Sequence, residues 1–408
     1  MNKKDTILVV NVGSTSFKYK LFDMAQGQCL AGGRIENVFT AAAEYTWQNG
    51  LHRGRETLDA SAGYEVCIRR MIAILTDKSV GVVSELETIG GVGFKAVLAG
   101  KINYPVMVTQ QLLCEMEKYN FVAPAHNPPY IEAMRSFAER MPGTALVASF
   151  ETGFHSTIPE AAYSYPFPKK YREKYGLRKY GFHGASHSYV AWKINQLTGR
   201  EDLRIISCHL GGSSSLCAIR DGKSVDTTMG FSPQAGIPNN NRNGDLDIFA
   251  VLYLMEREKL TPTQMREILS TNSGLLGLSG ISGDMRVLKG SADPRAKLTI
   301  DHLVYCIKKY LGGFLAELNG ADIITFSGGI GENDSDLRQR ICENMDFFGI
   351  RLNQQANRET VGELPADGVE ISAPDSRVKI MVLPTNEEWM VAMNTRRVIE
   401  QEEQNETC

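Results

Sequence analysis

The sequence has no apolar run near the ~18 consecutive residues that a membrane helix needs, so a membrane-spanning role is not expected. It also lacks a basic excess. Its 44 Lys and Arg against 47 Asp and Glu give a formal charge of −3, which argues against nucleic acid or an anionic membrane as partner. The eight cysteines, at 29, 67, 114, 208, 217, 306, 342 and 408, contain no CxxC pair. Several sit inside apolar runs such as Ile205–Leu210, and they read as reduced, mostly buried thiols of a cytoplasmic protein. The opening MNKKDTILVVNVGS has too short an apolar run, and no small-residue cleavage site, for a signal peptide, so export is not expected. No low-complexity linker interrupts the chain, and a short hinge near residue 150 is the expected division.

What is present suits two domains. A chain of 408 residues exceeds one ordinary domain, and 43% hydrophobic residues supply apolar material for two cores. A crude internal repeat supports the division. ILVVNVGSTSFKYKLFD (Ile7–Asp23) and RIISCHLGGSSSLCAIRDG (Arg204–Gly222) share one layout: an apolar strand, a turn of small residues and an alternating strand. Such turns leave backbone N–H groups open to an anion. Two related domains facing across a phosphate-holding cleft follow from that reading, and two ordinary hairpins are the alternative.

Elsewhere the pattern is mixed α/β. Helices are expected at Tyr64–Leu75, Val108–Asn120, Tyr130–Met141, Leu246–Glu258, Leu260–Ser270, Asp301–Asn319 and Glu387–Gln404. Strands are expected at Thr88–Val97, Ala145–Phe150, Asp322–Ser327 and Lys379–Pro384, with GGIGEN as a loop after the third.

Several segments carry residues suited to phosphate chemistry. The turn NVGSTSFK offers Asn11, Ser14, Ser16 and Lys18, with Gly13 allowing close approach, but it lacks the GxxxxGK[ST] spacing of a Walker loop. His183 and His187 in YGFHGASH stand at i, i+4, which raises a zinc reading; with no nearby Glu or third ligand, His183 better suits donating a hydrogen bond to a transferring phosphoryl group. His126 precedes two prolines and is expected in a rigid turn. Arg242 lies in a long, nearly uncharged segment and could fork onto a phosphoryl or carboxylate oxygen. SGISGDMR and SGGIGEN are small-residue loops of the kind that hold nucleotides beyond strand ends. PTNEE places carboxylates after the last strand, where one could reach Mg²⁺ or simply favour the following helix's dipole.

In this order the segments NVGSTSFK, APAHNPP, FETGFH, RKYGFHGASH, CHLGGSSS, DTTMGFSP…NRNGDLD, SGLLGLSGISGDMR, SGGIGEN and PTNEE resemble the acetate kinase family, with its propionate and butyrate kinase relatives. The resemblance runs from residue 11 to residue 388. It implies a two-domain actin-like, sugar-kinase-like α/β fold with a duplicated core and a nucleotide in an interdomain cleft. It also implies a homodimer and a Mg²⁺-dependent (or Mn²⁺-dependent) transfer from ATP to a carboxylate, giving an acyl phosphate. The expected domains are 1–152, completed by a C-terminal helix at about 388–408, and 153–387.

By the same resemblance, Asn11 and Glu387 hold the metal, while Ser14, Ser16 and Lys18 line the phosphate turn. His126, Glu151, His183 and Arg242 serve catalysis. Lys95, Val97, Ala125, Phe182 and Pro233 receive the acid. His209, Gly211, Gly212 and Ser213 lie near the phosphates. Asp284, Met285, Arg286, Gly329, Ile330, Gly331 and Asn333 surround the adenosine.

The sequence departs from the family's pattern inside these segments. The usual GHRVVHGG reads GFKAVLAG, so Lys95 replaces the substrate-facing arginine, with Phe94 and Leu98 at the two histidines. Lysine keeps the charge and loses the planar fork. The usual acidic residue of FDTxFH is Glu151, a longer side chain that could compensate the shorter Lys95. HLGNGxS reads HLGGSSS, and the usual Gly-Thr before the arginine is Asn240–Asn241. Ala125 replaces a leucine and opens space for a larger tail. Three readings remain: a kinase with a changed acceptor such as propionate, butyrate or a polar carboxylate; an ordinary acetate or propionate kinase; and a non-catalytic nucleotide-binding sensor or scaffold.

Overall fold

The structure is a computed structural model that describes residues 5–13, 15–39, 43–59, 63–122 and 126–406. Ser14 and Ala125 lie outside the described residues. The chain forms two compact units, Met1–Gly153 with Asn386–Cys408, and Phe154–Thr385.

In the first unit, Ile7 to Val10 are fully buried, as an apolar run covered on both sheet faces should be. They form the centre of β1 (Thr6–Gly13), which pairs antiparallel with β2 (Ser16–Asp23). Three further antiparallel strands, β3 (Gln28–Glu36), β4 (Ala43–Asn49) and β5 (His52–Leu58), extend that side as a meander. On the other side β6 (Gly91–Ala96) and β8 (Ala145–Phe150) add in parallel, with β7 (Val106–Met107) at the edge. The order is β5-β4-β3-β2-β1-β6-β8-β7.

The helix Glu387–Glu406 lies against this sheet because β6 is bare where they meet. A Cβ on Gly93 would stand 2.2 Å from Thr395 Oγ1, and one on Gly91 would stand 2.4 Å from Ile399 Cδ1. That packing sets the helix's first turn, with Glu387, beside Lys95 of β6.

In the second unit β9 (Arg204–His209), β10 (Ser215–Arg220) and β11 (Lys223–Thr227) pair antiparallel with one another in that order. β12 (Ile323–Ser327) and β14 (Lys379–Val382) add in parallel beyond β9, and β13 (Val369–Glu370) closes the edge. The order is β11-β10-β9-β12-β14-β13. The core joins Ile206, Leu216, Phe326 and Ile380 of this sheet to Ile307, Leu311 and Phe314 of the helix Pro294–Glu317. The same plan therefore occurs twice, β3-β2-β1-β6-β8 and β11-β10-β9-β12-β14, which is the duplicated core of the actin-like fold.

Three expectations are corrected. The long helix starts at Pro294, before Asp301, because Asp293 caps it, accepting from Arg295 N at 2.8 Å. His126 takes the N-cap position of the helix Asn127–Arg140, which begins at Asn127 and not at Tyr130, with Pro128 and Pro129 in a first turn that needs no proline N–H. GGIGEN is a helical turn, Gly328–Asn333, and not a loop.

Candidate active site

The first unit contributes the end of the β1–β2 hairpin. Asn11 lies opposite Lys18 across the strands, and Gly13 opposite Ser16. A Cβ on Gly13 would come within 2.7 Å of Ser16 Oγ, so a side chain there would have to displace that hydroxyl. Asn11 Oδ1 accepts from the Tyr130 hydroxyl at 3.0 Å, and that hydroxyl accepts from Val12 N–H at 3.0 Å. Lys18 is exposed on the sheet.

Lys95 is ion-paired directly with Glu387 and stands 3.9 Å from Glu151 Oε1. Burial opposes the lysine's charge, but the Glu151 and Glu387 carboxylates outweigh it and hold its pKa above the ordinary lysine range. Burial raises the Tyr130 hydroxyl, against a lowering pull from Lys95. Val97 is buried just beyond β6. Phe94 belongs to the core: it is fully buried, edge-on to Phe137 with ring centroids 5.3 Å apart.

The second unit gathers four histidines at the start of the helix Gly184–Thr198, an element the sequence reading missed. His183 caps it in the left-handed region, φ 57°, an uncommon conformation for a side chain with a Cβ. Its Nδ1 hydrogen-bonds Ser215 Oγ at 2.8 Å, and the same hydroxyl meets His187 Nε2 at 2.9 Å. His187 Nδ1 meets Ser207 Oγ at 2.9 Å, and Ser186 Oγ meets His209 Nδ1 at 2.8 Å. The rings of His183 and His209 lie tilted by 34° with centroids 4.4 Å apart.

His155 lies behind them. Its Nε2 meets the Phe182 carbonyl at 2.8 Å, and a carbonyl only accepts, so Nε2 carries the proton. Nδ1 then accepts from Ser224 Oγ at 2.8 Å. Burial lowers His155 to about 4 and takes His187 well below the usual range. Gly181 (φ 75°) must be glycine, since a Cβ there would lie 2.6 Å from the His155 ring. Among the described residues no three His, Cys, Asp or Glu side chains are grouped as metal ligands.

Arg242 is half-buried, and its Nη1 donates to Ser213 Oγ at 3.0 Å. Burial lowers its pKa below the ordinary arginine value. Phe182 is buried, while Pro233 is half-buried in the segment after β11.

Nearby in this unit a cavity of about 710 Å³ is lined by Gly211, Gly212, Asp284, Met285, Arg286, Gly329, Ile330 and Asn333, together with Asn240. Its size suits a small ligand. Asn240 Oδ1 is buried there without a hydrogen-bond partner among the described residues. Arg286 reaches outward and forks onto Asp284, holding that carboxyl at about 2. Gly331 does not line the cavity. Its carbonyl accepts from Arg338 Nη1 at 2.8 Å, behind the turn. Arg338 is fully buried and also binds the carbonyls of Glu332, Asn357 and Thr360, tying down Gly328–Asn333. Nothing in the sequence marked this arginine; it reads as an ordinary helix cation.

The duplicated strand plan is that of the actin-like fold, with a glycine-lined cavity in the second unit, and the relatives that this chain matches indicate a carboxylate-directed phosphotransferase. The chain belongs to the acetokinase family, whose model matches residues 6–393. It is 39% identical to the acetate kinase of Acetivibrio thermocellus, covering 96% of this chain and 99% of that one. It is also 39% identical to the acetate kinase of Caldanaerobacter subterraneus subsp. tengcongensis, covering 96% of this chain and 98% of that one. Among solved structures, Porphyromonas gingivalis acetate kinase matches with a TM-score of 0.87 and 33% identity, over 97% of this chain and all (100%) of that one. A propionate kinase from Francisella tularensis matches with a TM-score of 0.88 and 30% identity, over 97% and 100% respectively. The family implies ATP as substrate and a divalent metal ion. No helix among the described residues is long and apolar enough to cross a membrane.

Proposed function

We propose that this protein transfers a phosphoryl group reversibly from ATP·Mg²⁺ to a short-chain carboxylate, with an acceptor range differing from or broader than acetate and including propionate. The observation that carries this reading is Arg242, a half-buried guanidinium whose side-chain partner among the described residues is a hydroxyl and not a carboxylate. Keeping such a cation from water without a counter-charge is costly, and a bound anion offsets that cost. Its planar fork matches a phosphoryl or carboxylate group.

His183, fixed through Ser215, donates to the migrating group, with His126 and Glu151 assisting. In-line transfer asks a protein mainly for positioning and charge neutralisation. The cavity beside Gly211, Gly212 and Gly329 takes the nucleotide, and His209, Ser213, Ser16 and Lys18 serve its phosphates. Asn11 and Glu387 supply hard oxygen donors of the kind Mg²⁺ prefers. Val97, Phe182 and Pro233 line the apolar tail of the acid, and the small Ala125 favours a longer one. Lys95, committed to Glu387, makes a weaker clamp for the acceptor's carboxylate than an uncommitted arginine would.

We further propose a homodimer in the cytoplasm. The seven described cysteines are unpaired, in keeping with a reducing compartment. The helix Ile248–Glu258 buries none of its residues, although Ile248 is 65% and Phe249 78% exposed. Patches of this kind mark association surfaces.

The test is purified protein with ATP, Mg²⁺ and hydroxylamine on acetate, propionate, butyrate and polar acids, repeated with pyrophosphate as donor. Acyl hydroxamate from propionate or longer acids is expected. Product from acetate alone sinks the acceptor reading, and nucleotide binding without product from any acid sinks catalysis.

A further inference from the structure

Two departures from the acetokinase pattern meet in the cavity of the second unit. Where that pattern carries asparagine this chain has Gly212, and where it carries glycine this chain has Asn240. Both residues line the cavity, beside Gly211. Their backbones are joined: Asn240 N–H donates to the Gly212 carbonyl at 3.3 Å, while the Asn240 carbonyl accepts from Leu276 N–H at 2.9 Å. The rest of the small-residue turn is fastened in the same way. Gly211 N–H donates to Ser214 Oγ at 3.0 Å, and Ser214 N–H donates to Asn239 Oδ1. With its backbone held at both groups, Asn240 has only a small region in which to place its amide. A side chain on residue 212 would enter that same region. A Cβ on Gly212 would stand 3.3 Å from Asn240 Nδ2 and 3.8 Å from its Cγ, too close for two full side chains to pack without a shift. One amide fits there, carried by either segment. Asn240 Oδ1 is buried without a hydrogen-bond partner among the described residues, so no donor of theirs holds the amide by its oxygen. The other end, Nδ2, is a donor, and a donor beside such a turn suits an anionic oxygen.

We propose that Asn240 is a phosphate-binding residue particular to this chain: its Nδ2 donates to a phosphate oxygen of the bound nucleotide, from the place an asparagine at 212 would otherwise occupy. The inference rests on the reading of this cavity as the nucleotide's site. It also joins the two departures, since the glycine at 212 clears the space that the amide of Asn240 takes.

The test is the affinity of the full-length protein for ADP and for adenosine, each with Mg²⁺ present, measured by isothermal titration calorimetry. Asn240→Gly is expected to bind ADP about tenfold more weakly than wild type, the scale of one hydrogen bond to a charged group, with adenosine unchanged. Asn240→Ala, which adds no backbone freedom, is expected to show the same loss. Gly212→Asn alone crowds Asn240 and is expected to bind ADP no tighter than wild type. Gly212→Asn combined with Asn240→Gly returns the amide from the other segment and is expected to recover most of the lost affinity. Unchanged ADP binding by Asn240→Ala, an equal loss for adenosine, or no recovery in the double variant overturns the proposal. Wild-type protein that binds neither ligand removes the nucleotide reading of the cavity itself, whereas wild-type binding that Asn240→Ala leaves intact overturns only the role of Asn240.

Discussion

Ser215 Oγ hydrogen-bonds two imidazoles, His183 and His187. A hydroxyl carries one proton, so it donates to one ring nitrogen and accepts N–H from the other, which couples the two tautomers. Ser215→Ala is expected to lower kcat about ten- to a hundredfold, with KM for the acid little changed and the pH profile of kcat displaced. Steady-state hydroxamate assays check this, with Ser215→Thr as the variant that restores the hydroxyl. An unchanged pH profile would make Ser215 a packing residue only. Farther from the phosphates, His155 gives a stability prediction. Burial holds it at about 4, against ~6.5 in an unfolded chain. Between those values the unfolded chain binds a proton that the folded one refuses. Stability therefore falls as pH drops from ~6.5 toward ~4, by up to ~1.4 kcal/mol per pH unit. His187, also lowered by burial, acts in the same direction. Urea denaturation at a series of acidic pH values should show a shallower slope in His155→Gln than in wild type, even though that variant is less stable at neutral pH.

Among the elements, β6 and the helix Glu387–Glu406 approach each other closely. Gly93→Ala would push a methyl to 2.2 Å from Thr395 Oγ1 and 3.0 Å from Val391 Cγ1. The strand and helix must part, and a loss of ~1–3 kcal/mol is expected from overpacking. Thr395→Ala should recover part of that loss in the double variant, measured as a coupling in a chemical-denaturation cycle. The sequence shows why some elements were readable and others not. Tyr64–Leu75 has the apolar spacing of an amphipathic helix, and its bounds are those expected. The β3–β5 meander went unread because its strands mix charged residues and glycine, with Tyr19 and Trp47 rings lying over Gly33 and Gly54 in place of regular alternation. The helix Gly184–Thr198 was hidden for a related reason: it is buried on several sides and opens with glycine, histidine and serine. Site residues stood out where chemistry is rare, at His183 and Arg242. Arg338 and Ser215 did not, because their importance lies in partners far away in sequence.

For the molecule as a whole, the helix Ile248–Glu258 is a feature of the described residues that a single chain does not explain. Asp247 caps it, accepting from Phe249 N at 2.8 Å, so it is formed as a helix without help from a core. Its apolar side chains nonetheless meet water, with Leu252 47% and Tyr253 59% exposed. Helices this short gain most of their stability from packing an apolar face. In the proposed homodimer a second copy of the chain would supply that packing, with a two-fold axis letting one patch serve both partners. Phe249→Glu is therefore expected to convert the dimer to a monomer in sedimentation equilibrium, with the far-ultraviolet circular dichroism retained. Burying an unpaired carboxylate at such an interface costs several kcal/mol, enough to shift a micromolar dimer fully apart at the same protein concentration. A wild-type chain that sediments as a monomer, or a Phe249→Glu variant that stays dimeric, would leave this helix face to some other partner.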